Sequence, residues 1–211
     1  MPRVDDYQHA FEIAQKELKQ QDPADVAKRS GATYVEDGEG AVSLTFIDRG
    51  IVVRFSGMQI EMENDSDGGE IPIQEKVLVL HYLLGAQGQA PSGRLITYRE
   101  IPSGEFYFPA FKKRAIDPMV AVFGQKGEAF QSLAAELGGS RQTDLSGLAY
   151  RFVPVPLVPI TLQLHEADDE FPASGNVLFD ETVSDILSLE DVAWLSGMIV
   201  YRLMGMLRNR K

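Results

Sequence analysis

Glu166, Asp168, Asp169 and Glu170 crowd four carboxylates into five positions, directly after His165. Carboxylates this close repel one another unless a cation, water or backbone N–H groups compensate. His165, Asp168 and Glu170, with Asp180 further on, make a mixed imidazole and carboxylate set of the kind that holds divalent metals. A water on such a metal becomes a nucleophile near neutral pH. The spacing matches no known metal motif. The same residues serve as a solvated acidic loop, with Asp180 as a helix N-cap and Glu181 in the first turn. Both readings stand at this point.

A second chemical stretch is Phe106-Tyr-Phe-Pro-Ala-Phe-Lys-Lys-Arg114, where aromatics meet a basic cluster. Aromatic faces such as that of Tyr107, beside Arg114, can hold a flat anionic molecule by stacking and charge. The competing reading is a core-facing aromatic stripe with a solvated basic face. His81 lies in an apolar run, Val77 to Leu84, as a hydrogen-bonded buried histidine or as a ligand or acid/base residue. A cleft collecting His81, Arg99, His165 and Glu170 would be an active-site candidate. Glu63, Asp65, Asp67 and Gly68 fall at positions one, three, five and six of an EF-hand-like loop. Position twelve is Gln74, so tight calcium binding is not expected there. No nucleophile elbow and no phosphate-binding glycine loop occurs in the chain.

The elements that must carry these residues follow from periodicity and punctuation. Val4 to about Gln20 has helical apolar spacing; Asp22-Pro23 caps and starts a second helix that Gly31 stops. Ala41 to Ile47 and Ile51 to Phe55 read as strands joined by a turn at Asp48-Arg49-Gly50, with a third strand at Met58 to Met62. Pro72 to Ala86 reads as a helix whose Val77 to Leu84 run is apolar almost all round, which predicts that it is central and buried. Arg94 to Glu100 reads as a strand. Pro109 is expected to open a helix and Pro118 to end or kink it. Gly127 to Leu137 is another helix, stopped by Gly138-Gly139. Leu148 to Val153 reads as a strand, followed by Pro154, Pro156 and Pro159, an edge or a crossing segment. Ile160 to His165 alternates, sending Ile160, Leu162 and Leu164 into the core. Val177 to Phe179 makes a brief strand. Ser188 to Leu207 is the clearest helix, with Ser188 and Asp191 resembling a capping box.

The chain has 211 residues, no cysteine and a net charge of −11. A chain of this length buries roughly 70% of its unfolded surface and needs no staples. Without cysteine there is no disulfide, thiol nucleophile or cysteine-ligated cluster. The negative charge disfavours nucleic acid and anionic membranes as partners. The N-terminal residues carry no apolar signal core, and no stretch approaches the about 18 apolar residues of a span. A cytoplasmic location is the expectation.

Leu80-His-Tyr-Leu83, Gly93-Arg-Leu-Ile-Thr-Tyr-Arg-Glu100, Phe111 to Arg114, Asp168-Asp-Glu-Phe-Pro172, Leu178-Phe-Asp180 and Leu189-Glu-Asp191 form a further set. Together they resemble a family of small prokaryotic domains of unassigned function. Some members of that family are joined to iron–sulfur modules of corrinoid-linked one-carbon metabolism. The resemblance implies an accessory cytoplasmic domain and supplies no catalytic residues. Cluster binding does not carry over to a chain without cysteine.

These readings predict an α+β fold, an antiparallel or mixed sheet packed by helices with a long amphipathic C-terminal helix. A single domain over 1–211 is expected, with a helical segment at about 4–31 and a sheet-and-helix body at about 41–207. The function they favour is binding of a small anionic ligand or a protein partner, without catalysis. The alternative is an enzyme using His165 with Asp168 and Glu170, with a divalent metal.

Overall fold

In the computed structural model, which describes residues 4–36, 40–63 and 70–210, local capping signals set the first elements. Helix α1 (Val4–Leu18) is followed by α2 (Pro23–Ser30). The Asp22 carboxylate accepts from the N–H groups of Ala24 and Asp25, at 2.9 and 3.0 Å, and Gly31 leaves the helix at φ 67°. Strands β1 (Thr33–Val35), β2 (Ala41–Phe46), β3 (Arg49–Arg54) and β4 (Gln59–Met62) form an antiparallel sheet in chain order. The meander is as expected, but its first turn is not. Phe46 pairs with Arg49, so Ile47 and Asp48 make the turn and Ile47 takes φ 59°. Gly50 sits inside β3, because a Cβ there would lie 2.8 Å from the Cβ of Glu63. The glycine serves a close approach and not a bend.

Helix α3 (Ile73–Gly85) is buried through Val77, Val79, Leu80 and Leu83 and packs against α1. The buried Tyr82 hydroxyl donates to the Ser30 carbonyl. His81 is half-buried. The EF-hand-like loop falls mostly on residues 64–69, which lie outside the described residues.

The chain is arranged as two compact units. The elements above, residues 1–90, with Val155–Leu157 and Asp185–Leu187, make the first. The second comprises Pro91–Pro154, Val158–Ser184 and Ser188–Lys211.

The second unit is built on an antiparallel sheet in the order β5-β9-β8-β7-β6. Its strands are β5 (Leu95–Thr97), β6 (Ser140–Gln142), β7 (Leu148–Val155), β8 (Val158–His165) and β9 (Ser174–Asp180). Ile160, Leu162 and Leu164 of β8 are fully buried, as alternation requires. The expected strand to Glu100 stops at Thr97. Glu100 folds back to accept from the Thr97 N–H and hydroxyl, at 2.8 and 2.9 Å, winding Tyr98–Glu100 into a 3-10 turn. The three prolines do not mark a sheet edge. Pro154 and Pro159 flank a tight turn, with Leu157 at φ 63°, between two strands that both lie inside the sheet.

Helix α4 (Gly104–Phe111) begins well before Pro109, the expected start. Gly104 approaches the Tyr98 carbonyl so closely that any Cβ would collide with it. Pro118 does not end the helix either. A π-turn (Lys112–Ile116) widens it, the Asp117 N–H bonds back to the Lys112 carbonyl, and α5 (Asp117–Phe123) starts with Pro118 in its first turn. Pro118 follows directly on the widened turn, where the carbonyls before it are out of the regular i−4 register that a proline ring would clash with. Helix α6 (Gly127–Glu136) and the short α7 (Val183–Ile186) precede α8 (Leu189–Asn209), 21 residues long. The Ser188 hydroxyl caps α8 by accepting from the Asp191 N–H and donates to the Asp191 carboxylate. Val192, Ile199, Val200 and Leu203 bury its inner face. The fold is α+β, with a long C-terminal helix.

Candidate functional site

Helix α4, the π-turn, the 3-10 turn and the N-terminal end of α8 line a pocket of about 410 Å³. Tyr98, Tyr107, Phe111 and Arg114 line it from one side, and Leu189, Glu190 and Ala193 from the other. Its wall is aromatic and closely stacked. Tyr98 and the buried Phe111 lie 4.0 Å apart between ring centroids and 1° between planes, and Phe179 of β9 meets Phe111 at 6.0 Å. The Tyr98 hydroxyl donates to the Leu189 carbonyl at 3.0 Å, tying this wall to α8.

Arg114 is the cation of the pocket. Its guanidinium carbon lies 4.3 Å from the centroid of the Trp194 ring. Its stem runs along α8 at Gly197, where a Cβ would come within 2.9 Å of the Arg114 Cγ. Among the described residues it makes no ion pair, so its donors stay available to a ligand. The π-turn is what aims it there. One wider turn shifts the register of the side chains that follow, and such turns recur at functional sites. Tyr107, half exposed, and Glu190 stand at the rim.

The electrostatics agree with one shared site. Burial pushes the Tyr98 phenol up to about 12; the Arg114 charge opposes the shift, while Glu190 and Tyr107 add to it. With its pKa raised, the Tyr98 phenol stays protonated at pH 7 and donates to the Leu189 carbonyl. The arrangement can bind. It offers aromatic faces, a phenol, one carboxylate and a guanidinium that has no carboxylate partner among the described residues.

Of the residues singled out from sequence, the structure brings Tyr107 and Arg114 together in this pocket. Arg99 is engaged elsewhere, in an ion pair with Glu105 and 3.8 Å above the Phe108 ring. His165 ends β8 and is half-buried, its Nδ1 so near Gly147 that a Cβ there would stand at 2.8 Å. Asp168 accepts the N–H groups of Glu170 and Phe171, which hold its carboxyl below the usual range. Glu170 is exposed. Glu166 accepts the Gly127 N–H at 2.7 Å. Among the described residues, no three His, Asp or Glu side chains gather as a metal ion would need. His81 belongs to the other unit.

Asp180 is a correction. It ends β9 and does not cap a helix. It is 2% exposed and accepts from the N–H and hydroxyl of Ser92, the N–H of Gly93, and the N–H and hydroxyl of Thr182. Burial alone would raise its carboxyl; these donors outweigh it and hold the group below the ordinary 3.8. Its work is to pin the loop before β5.

Sequence reasoning misses Tyr98, Glu190 and Trp194. Tyr98 reads as one face of a strand. Trp194, the single tryptophan of the chain, is the signal available, since tryptophan offers the best ring face to a cation.

The family model described as Domain of unknown function (DUF3786) matches residues 22–202. The chain belongs to this family. Comparison with the curated proteins and with the solved structures finds no match. No helix among the described residues is long and apolar enough to cross a membrane.

Proposed function

We propose that this member of the DUF3786 family is a non-catalytic binding domain whose pocket at Tyr98, Tyr107 and Arg114 takes a small, flat anionic molecule. The observation that carries this reading is a convergence beside the π-turn. Arg114, without a carboxylate partner among the described residues, meets stacked aromatic walls there. A pocket of about 410 Å³ suits a ligand of modest size. Glu190 on the rim favours ligands that also offer a hydrogen-bond donor, such as an amino or hydroxyl group on the ring. In this reading the domain is cytoplasmic and accessory to a larger system, in line with the resemblance to domains joined to iron–sulfur modules of one-carbon metabolism.

The test is calorimetry and thermal shift over a panel of aromatic carboxylates, with and without ring amino groups. Wild type is expected to show saturable binding, weakened roughly tenfold or more in Arg114→Gln, the loss of one charge-assisted contact. Absence of any binder, or equal binding by the variant, would sink the reading.

A further inference from the structure

A second cavity in the same unit, about 780 Å³, holds none of the residues discussed above as functional. Its floor is apolar. Val120 of α5 and Met204 and Leu207 of α8 are each only half-buried, with Pro172 and Ala173 as one wall. Two cations, Lys126 and Arg208, stand at its edge; both are exposed. Among the described residues neither forms an ion pair, whereas Arg94, Arg99, Lys112 and Arg210 of this unit each face a carboxylate.

We propose that this cavity binds a small amphiphilic anion, an apolar body ending in a single carboxylate. Apolar surface left open inside a concavity of this size is the usual lining of a small-molecule site, with few polar groups fixing orientation. Here the charged side chains of the lining are both cations, Lys126 and Arg208, in a chain of net charge −11. Among the described residues the acidic loop beside the cavity makes no ion pair with either cation. Glu166 is turned to the Gly127 N–H and Asp168 to those of Glu170 and Phe171. Arg208 lies in the last turn of α8, where the negative end of the helix dipole favours a cation. Lys126 stands in the short link between the end of α5 at Phe123 and the start of α6 at Gly127. Neither placement uses up the N–H donors, which a carboxylate would complete. A second copy of this acidic chain fits less well, since it would bring further negative charge to the site.

The experiment is titration of the full chain with octanoate, octanol and octylamine by calorimetry, with amide chemical-shift mapping to locate the site. Octanoate is expected to bind saturably and at least roughly tenfold more tightly than octanol, with octylamine weaker still. The Lys126→Ala/Arg208→Ala variant changes two exposed side chains and should fold as wild type. It should lose that preference, binding octanoate as weakly as octanol. Arg114→Gln should bind octanoate unchanged, which separates this site from the aromatic pocket. Equal affinity for the three probes, no saturable octanoate binding, unchanged affinity in the double variant, or shifts mapping away from Val120 and Met204 would each overturn the proposal.

Discussion

Asp180 shows how much one side chain can hold. A buried carboxylate without partners would cost several kcal/mol, yet here Ser92, Gly93 and Thr182 supply five donated hydrogen bonds. Two of its partners lie 88 and 87 residues away in sequence. Asp180→Ala strands donors in the loop before β5 and should destabilise the chain by about 3 kcal/mol, read as a shift in denaturant midpoint. The pH dependence has a definite sign. The folded carboxyl lies below its ordinary 3.8, so its contribution is complete above that value and is lost as pH falls through the folded one. The stability gap between wild type and Asp180→Asn should therefore narrow from pH 6 to pH 3. A constant gap would refute the link. Tyr98 has the opposite sign. Its phenol is raised to about 12 from 10.0, so the stability it adds is complete below pH 10 and is lost as pH climbs through about 12. Tyr98→Phe should cost about 1 kcal/mol at pH 8, one hydrogen bond, and flatten the alkaline limb of the stability profile. An alkaline limb unchanged in the variant would place its cause elsewhere.

Helix α8 ties the second unit together. It packs against the π-turn, α5 and α6, and it supplies one wall of the aromatic pocket. Leu203, fully buried, should cost about 2–5 kcal/mol on truncation to alanine, as buried leucines do. An unchanged thermal midpoint in Leu203→Ala would contradict the packing. This helix is legible in sequence because its cap, Ser188 with Asp191, and its apolar stripe are local patterns. The same holds for α2, fixed by Asp22 and Gly31. Strand β1 spans three residues, Thr33–Val35, too few to show a period. The start of α4 stays hidden because Gly104 answers to a contact with the Tyr98 carbonyl, not to a local signal. The turn after β2 is misplaced when Gly50 is read for its backbone freedom, since its missing side chain makes room for Glu63. The pocket is half legible. Tyr107 and Arg114 lie in one stretch whose composition announces itself; Glu190 and Trp194 reach them only through the packing of α8.

At the scale of the molecule, the chain crosses between its two compact units more than once. Residues 1–90 make most of the first unit, but Val155–Leu157 and Asp185–Leu187 also belong to it. Val155, Ile186 and Leu187 are buried, and Gly85 of α3 meets the Ile186 carbonyl so closely that a Cβ would collide. Burying three such apolar side chains contributes on the order of 5 kcal/mol, comparable to the whole stability of a small domain. A fragment of residues 1–90 would forfeit that contribution and expose the apolar surface these residues cover. A fragment of residues 91–211 keeps every segment of the second unit and both pockets. The two fragments should therefore behave unequally. Residues 91–211 are expected to give dispersed amide spectra and a cooperative thermal transition, while residues 1–90 give a broad transition or aggregate. Adding a peptide of residues 183–190 to the shorter fragment should sharpen its transition, because binding to the folded state alone raises apparent stability. A fragment of residues 1–90 as cooperative as the intact chain would show that the crossing segments add nothing to its stability, and that its helices and meander suffice alone.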